Sequence, residues 1–130
     1  DACLERKFAS GVSPSLIAVH SYTPVFLGQA RPWQIGIVFA EDRRLADPLV
    51  ETLARDPALK VGVNQPYSPV DEVYYTVARH AHPRGLPGVM IEIRNNEIAT
   101  EHGQRKWASR LADFFLSMRS EGSGAHQAAV

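Results

Sequence analysis

A chain of 130 residues is long enough for one domain with a core of its own. Its 14 basic and 14 acidic side chains cancel, which argues against a nucleic-acid or anionic-membrane partner, since both reward a basic surplus. Hydrophobic residues at 45% and charged ones at 22% are ordinary globular proportions, and the one cysteine, Cys3, cannot close an internal disulfide. No apolar run approaches the ~20 residues of a membrane span. No basic start leads into an apolar stretch, so no signal peptide is read and a cytoplasmic, reducing setting is the expectation.

Residues 1–8 read as the last turns of a helix, with Leu4 and Phe8 one turn apart and Gly11 placed to follow the end. A chain that opens inside a helix, without an initiator methionine, is expected to be the C-terminal portion of a longer protein. Residues 15–21 are apolar without alternation, the pattern of a central parallel strand buried on both faces. A loop over 22–33 carries Pro24, Gly28 and Pro32. Residues 34–40 form a second strand, with bulk from Ile35, Ile37, Val38 and Phe39. The stripe Leu45, Leu49, Leu53 predicts a helix over 44–55, with Pro48 in its first turn, Asp47 as candidate N-cap and Asp56-Pro57 at its end. A short strand over 60–63 and a turn-rich loop follow. Residues 70–80 are helical in part, although Tyr74, Tyr75, Thr76 and Val77 are poor helix formers. Residues 88–94 make the last strand. A final helix over 100–119 presents Trp107, Leu111, Phe114, Phe115 and Met118 on one face. Residues 120–130 read as a disordered tail, and Cys3 as a packing residue. Strands alternating with helices give an α/β class, a parallel or mixed sheet flanked by helices. Four strands make a small sheet, so an incomplete domain is expected, with residues 1–119 the C-terminal portion of it.

Two segments place chemistry at strand ends. His20-Ser-Tyr-Thr-Pro follows one apolar run, and Glu92-Ile-Arg follows another. In open α/β sheets ligands bind at that edge. A histidine and a glutamate there are what a zinc hydrolase needs, a metal ligand and a general base for water. The plainer alternative is a hydrogen-bonded histidine and a Glu92–Arg94 ion pair; Glu92 and Arg94 project to the same face because they lie two apart on a strand. Ser21, Tyr22 and Thr23 are polar enough to orient the imidazole. Arg79, and less strongly Arg31, can grip a carboxylate with two parallel hydrogen bonds. Asn64 can bond a substrate amide or make a turn. No Gly-x-Ser-x-Gly, phosphate loop or dinucleotide fingerprint is present. His80-Ala81-His82 is a weak metal motif on its own, and His102 reads as solvated.

Six segments in order, His20-Ser-Tyr-Thr-Pro, Arg31-Pro-Trp-x-Ile-Gly, Asp42-x-Arg-Leu-Ala, Val63-Asn-x-Pro-Tyr-Ser, Tyr75-Thr-x-x-Arg-His and Gly85-Leu-Pro-x-Val-Met-Ile-Glu-Ile-Arg, resemble the N-formylglutamate amidohydrolase family over about residues 16–116. That family is similar in fold to the zinc carboxypeptidases, a phosphorylase/hydrolase-like architecture. The resemblance implies that His20 binds Zn²⁺ and that Glu92 activates the zinc-bound water. It implies an N-acyl amino acid as small-molecule substrate, such as N-formyl-L-glutamate, giving formate and glutamate. Arg79 would take the substrate carboxylate, with Asn64, Arg31 and Arg94 as further substrate-binding candidates. Gln34, Ala81 and Asn96 stand where the family leads one to expect a histidine, a glycine and an acidic residue, which touches substrate recognition rather than the ligand or the base. The family's first two zinc ligands belong to a segment before Asp1. A lone His20 cannot hold catalytic zinc, so little or no activity is expected of these residues by themselves. The competing readings are a zinc peptidase or other N-acyl amino acid hydrolase on the same scaffold, a non-catalytic carboxylate-binding relative, and a purely structural role for His20 and Glu92.

Overall fold

A computed structural model describes the backbone of residues 2–124 and the side chains of residues 2–118. The chain divides into two units, Asp1–Asn95 and Asn96–Val130. The first unit contains α1 (Ala2–Ala9), β1 (Leu16–Tyr22), β2 (Val25–Phe26), β3 (Gln29–Ala30), β4 (Ile35–Val38), α2 (Ala46–Ala54), β5 (Val61–Val63), α3 (Tyr75–His80) and β6 (Gly88–Arg94). Single 3₁₀ turns at Pro69–Asp71 and His82–Arg84 flank α3.

The main sheet has the order β1-β6-β4-β5. β1 runs parallel to β6 and β4 parallel to β5, while β4 and β6 are antiparallel. The class is therefore α/β with a mixed sheet, as the alternation of elements predicts. β4 is buried throughout and β6 throughout except for Arg94, in keeping with sequences whose apolar run is interrupted before Arg94 by Glu92 alone.

β1 departs from expectation. It lies at the edge of the sheet rather than the centre, and Ile17 and Val19 on one of its faces are 37% and 57% exposed. Its apolar run does not alternate, yet only the opposite face, through Ala18 and Tyr22, is buried. Lack of alternation reports two apolar faces, and among the described residues only one of them is covered.

On that covered face Ala18, Val38 and Met90 pack with Val77 of α3 and Ala81 at its C-cap, together with Tyr74 and Leu86. Gly88 permits this close approach, since a Cβ there would stand 2.5 Å from a Val77 methyl and 2.9 Å from the Ala81 Cβ. α2 packs on β4 and β5 through its leucine stripe, with Leu49 fully buried. Leu49→Ala is expected to lower stability by about 2–5 kcal/mol, the usual cost of a core cavity, and chemical denaturation of the variant checks it.

Three further expectations need correction. Asp47 does not cap α2. The N-cap position is Leu45, without a side-chain cap, and the Asp47 carboxylate instead accepts from Arg43 Nε at 2.9 and 3.0 Å. Inside the first turn it still stands near the positive end of the helix dipole. Cys3 is exposed rather than packed, because α1 buries none of its residues and only Leu4 reaches the core. The loop over 22–33 contains a small antiparallel hairpin, β2–β3.

In the second unit, α4 (Glu101–Gly124) starts behind Thr100, whose hydroxyl accepts the Gly103 N–H at 3.2 Å. Trp107, Leu111 and Phe114 of its predicted apolar face are buried. Residues 120–124, read from sequence as part of a disordered tail, continue this helix. Once a helix is nucleated each further residue adds a bond, so poor formers can extend its end. The rest of that tail lies outside the described residues. No helix among the described residues is long and apolar enough to cross a membrane.

Candidate active site

Because β1 and β6 are parallel, their C-terminal ends share one edge of the sheet. β4 runs the other way, so its first residues lie at the same edge. The Cα of His20 pairs with that of Glu92, and Gly36 on β4 pairs with Glu92 from the other side. Register partners share a face, so His20, Glu92 and Gly36 form a row across three strands, with neighbouring backbones about 4.8 Å apart. The two residues singled out from sequence are thus brought together. His20 is exposed, whereas Glu92 is only 2% exposed.

Glu92 is the anomaly of this face. Its Oε2 is buried and has no hydrogen-bond partner among the described residues. Burial pushes its carboxyl above the ordinary value of 4.5, while the charges of His20 and Arg31 pull it back down. A buried carboxylate left one partner short, and raised toward neutrality, suits a general base.

Arg31 lies beyond the hairpin. Its guanidinium carbon stands 4.5 Å from the Phe26 ring centre, 4.9 Å from that of Tyr67 and 5.7 Å from that of Tyr22. Arg94 Nη1 donates to the carbonyls of Arg31 and Pro32 at 3.1 and 3.2 Å, so Arg94 fixes the Arg31 backbone. The hydroxyls expected to steer the imidazole are engaged elsewhere: Tyr22 donates to the Trp33 carbonyl and Thr23 to the Val25 carbonyl. Ser21, next to His20 on the strand, faces the other side of the sheet.

The sequence profile of a family described as N-formylglutamate amidohydrolase matches residues 1–99. The chain belongs to the N-formylglutamate amidohydrolase family. A crystal structure of a gene product from Agrobacterium tumefaciens superposes on it with a TM-score of 0.82 and 38% sequence identity, over 94% of this chain and 48% of that one. The chain therefore spans about half the length of that relative. No curated protein matches it. The profile match starts further upstream than the motifs quoted from sequence and stops before α4.

Within this amidohydrolase-family fold, other predicted residues fall away from the His20–Glu92 row. Asn64 has a left-handed backbone (φ 51°), and its Oδ1 accepts the Phe39 N–H at 2.9 Å, tying the end of β5 to the end of β4. Arg79 is exposed on α3, the helix that packs on Gly88, at the opposite end of β6 from Glu92. Gln34, in place of the histidine the family led one to expect, accepts the Lys60 N–H through its side chain at 2.7 Å and the Arg94 N–H through its carbonyl at 2.9 Å. It stitches β4 to both neighbours. Cavities of about 460 and 540 Å³ open near Ala40 and His82, also at the far end of the sheet, and neither is lined by His20 or Glu92.

Sequence reasoning missed Phe26, Gln65 and Tyr67. Tyr67 and Pro66 stand in a quoted motif, but nothing in it says that they cross over the sheet. The signal for that crossing is glycine inside two strands, Gly36 and Gly62. A Cβ at Gly62 would come within 2.6 Å of the Gln65 carbonyl oxygen.

Among the described residues, no group of three or more His, Cys, Asp or Glu side chains could hold a metal ion. A catalytic zinc needs three protein ligands and an open position. The row supplies one imidazole, and beside it a carboxylate oxygen without a partner. These residues fit one ligand and the base of such a centre, and they do not complete it.

Proposed function

We propose that this protein hydrolyses the amide bond of an N-acyl amino acid such as N-formyl-L-glutamate, releasing formate and glutamate, as a zinc-dependent amidohydrolase. The observation that carries the reading is the buried, unpartnered Oε2 of Glu92 beside His20 at a strand end. Membership of an amidohydrolase family supports it. His20 would be one zinc ligand, and the other two would come from a segment before Asp1 in the longest natural form of the protein. Zinc, when bound, supplies a water whose pKa falls to about 7 and polarises the acyl oxygen.

The chain's own residues account for the proton. Glu92 accepts it from the attacking water as the C–O bond forms at the acyl carbon. It then delivers the proton to the amine nitrogen as the C–N bond breaks. Burial serves the first half, because a carboxylate whose pKa is raised takes the proton from water more readily, and the acid it forms is still strong enough to protonate the departing amine. The charges of His20 and Arg31 keep the carboxylate form accessible. An N-acyl amino acid is favoured over a peptide by the half-buried arginine Arg31, whose charge reaches Glu92 and suits a small anionic group.

Zinc content and formate release test the proposal together. In the longest natural form, about one zinc per chain is expected, lost in His20→Ala along with formate release from N-formyl-L-glutamate. A metal-replete parent without zinc overturns the mechanism.

A further inference from the structure

Arg31 differs from other arginines of this chain. Arg43, Arg44, Arg84 and Arg105 each have a carboxylate partner. Arg31 is half-buried, and among the described residues it makes no ion pair; its guanidinium donates one hydrogen bond, from Nη1 to the Tyr67 hydroxyl at 3.2 Å. A guanidinium carries five donors in one plane. Three aromatic rings surround it, and only the Tyr67 hydroxyl takes one of those donors.

Its setting is also rigid. The Arg31 N–H donates to the Pro24 carbonyl at 2.8 Å, and Arg94 holds its carbonyl from the other side. Phe26 is brought over the guanidinium by the hairpin β2–β3, whose two-residue tip, Leu27-Gly28, is left-handed at both positions (φ 49° and 76°). That turn matches the twist of the flanking strands. The tip normally calls for asparagine and glycine, and Leu27 accepts a strained backbone there. So a half-buried cation is fixed in orientation and makes no ion pair among the described residues. Pre-organised in this way, the planar fork loses little entropy when a carboxylate docks on it.

We infer that Arg31, caged by Tyr22, Phe26 and Tyr67, is the receptor for a carboxylate on the amino-acid half of the substrate, in place of Arg79. This rests on the amidohydrolase reading for the identity of the substrate, though not for the receptor itself. Phe26 sets specificity by holding the fork flat toward the site. Tyr67 positions it through the hydroxyl.

The test separates binding from turnover. Glutarate and its uncharged diamide are titrated calorimetrically into the longest natural form of the protein, stripped of metal with a chelator. Parent protein should bind glutarate at least tenfold more tightly than the diamide, and Arg31→Met should lose that preference. Phe26→Ala, at an exposed hairpin where folding is hardly at stake, should weaken glutarate severalfold, and Arg79→Ala should not. Equal affinities in parent and Arg31→Met, no preference for glutarate in the parent, or full affinity in Phe26→Ala would each overturn the inference. Formate release is followed alongside. Binding through Arg31 without release from N-formyl-L-glutamate removes the hydrolase reading and keeps the receptor; release that is equal in parent and Arg31→Met does the reverse.

Discussion

Replacing Glu92 by glutamine is expected to abolish hydrolysis while leaving the protein folded and, above acidic pH, more stable. The catalytic loss should be about two to four orders of magnitude, the range for removal of a general base. The stability effect follows from the direction of the Glu92 shift. Burial raises its carboxyl in the folded state above the ordinary value. A group raised on folding contributes fully while protonated, below its unfolded pKa, and that contribution is lost as pH rises through the folded pKa. Glutamine never ionises, so the variant escapes the loss. Thermal unfolding of metal-free protein should therefore give similar midpoints for parent and variant near pH 4, with the variant pulling ahead as pH rises toward 8. A variant that keeps its turnover would remove Glu92 from the role of base, and a parent that stays ahead at pH 8 would overturn the burial-raised carboxyl. The two readouts matter together: a merely structural Glu92 would give the stability change without the loss of rate.

The site was legible in part, and the reason is local. His20 and Glu92 each end an apolar run, and a polar residue at the end of a buried strand is visible in one dimension. That they meet follows from the parallel pairing of β1 and β6, which the alternation of elements already favours. The cage around Arg31 was not legible to the same degree. It gathers residues 22, 26, 31 and 67 from a strand end, a hairpin and a crossing loop. From sequence Arg31 ranks below Arg79, because charge and motif do not report which guanidinium is half-buried among rings or which end of a strand it lies near. β1 misled for a related reason. An apolar pattern states what a strand can bury, and the neighbours decide what it does bury.

Gly36→Ala is expected to be among the most damaging single substitutions in the first unit, although it adds one methyl group. Gly36 lies in β4, between β5 and β6, in register with Gly62 and Glu92. A Cβ there would collide with the Gln65 carbonyl oxygen and stand 3.1 Å from its carbon and 3.2 Å from the Pro66 ring. Those are backbone and ring atoms, so no flexible side-chain tip can give way. β4 is paired on both sides and fully buried, so the strand cannot yield either. The crossing segment must lift, which strains the Asn64–Phe39 bond and draws Tyr67 off the Arg31 guanidinium. Overpacking of this kind costs about 1–3 kcal/mol, and more where the neighbour is rigid, a fall of roughly 10 °C in melting temperature for a unit of this size. Gly85→Ala provides the contrast. Its backbone is left-handed (φ 63°) but nothing lies within 4 Å of the added methyl, so the cost is conformational alone, about 1 kcal/mol. If the collision governs, Gly36→Ala melts well below Gly85→Ala and also weakens glutarate binding through the displaced Tyr67. Should the two variants melt together with binding intact, the crossing segment is not seated on β4 and the cage around Arg31 loses its third wall.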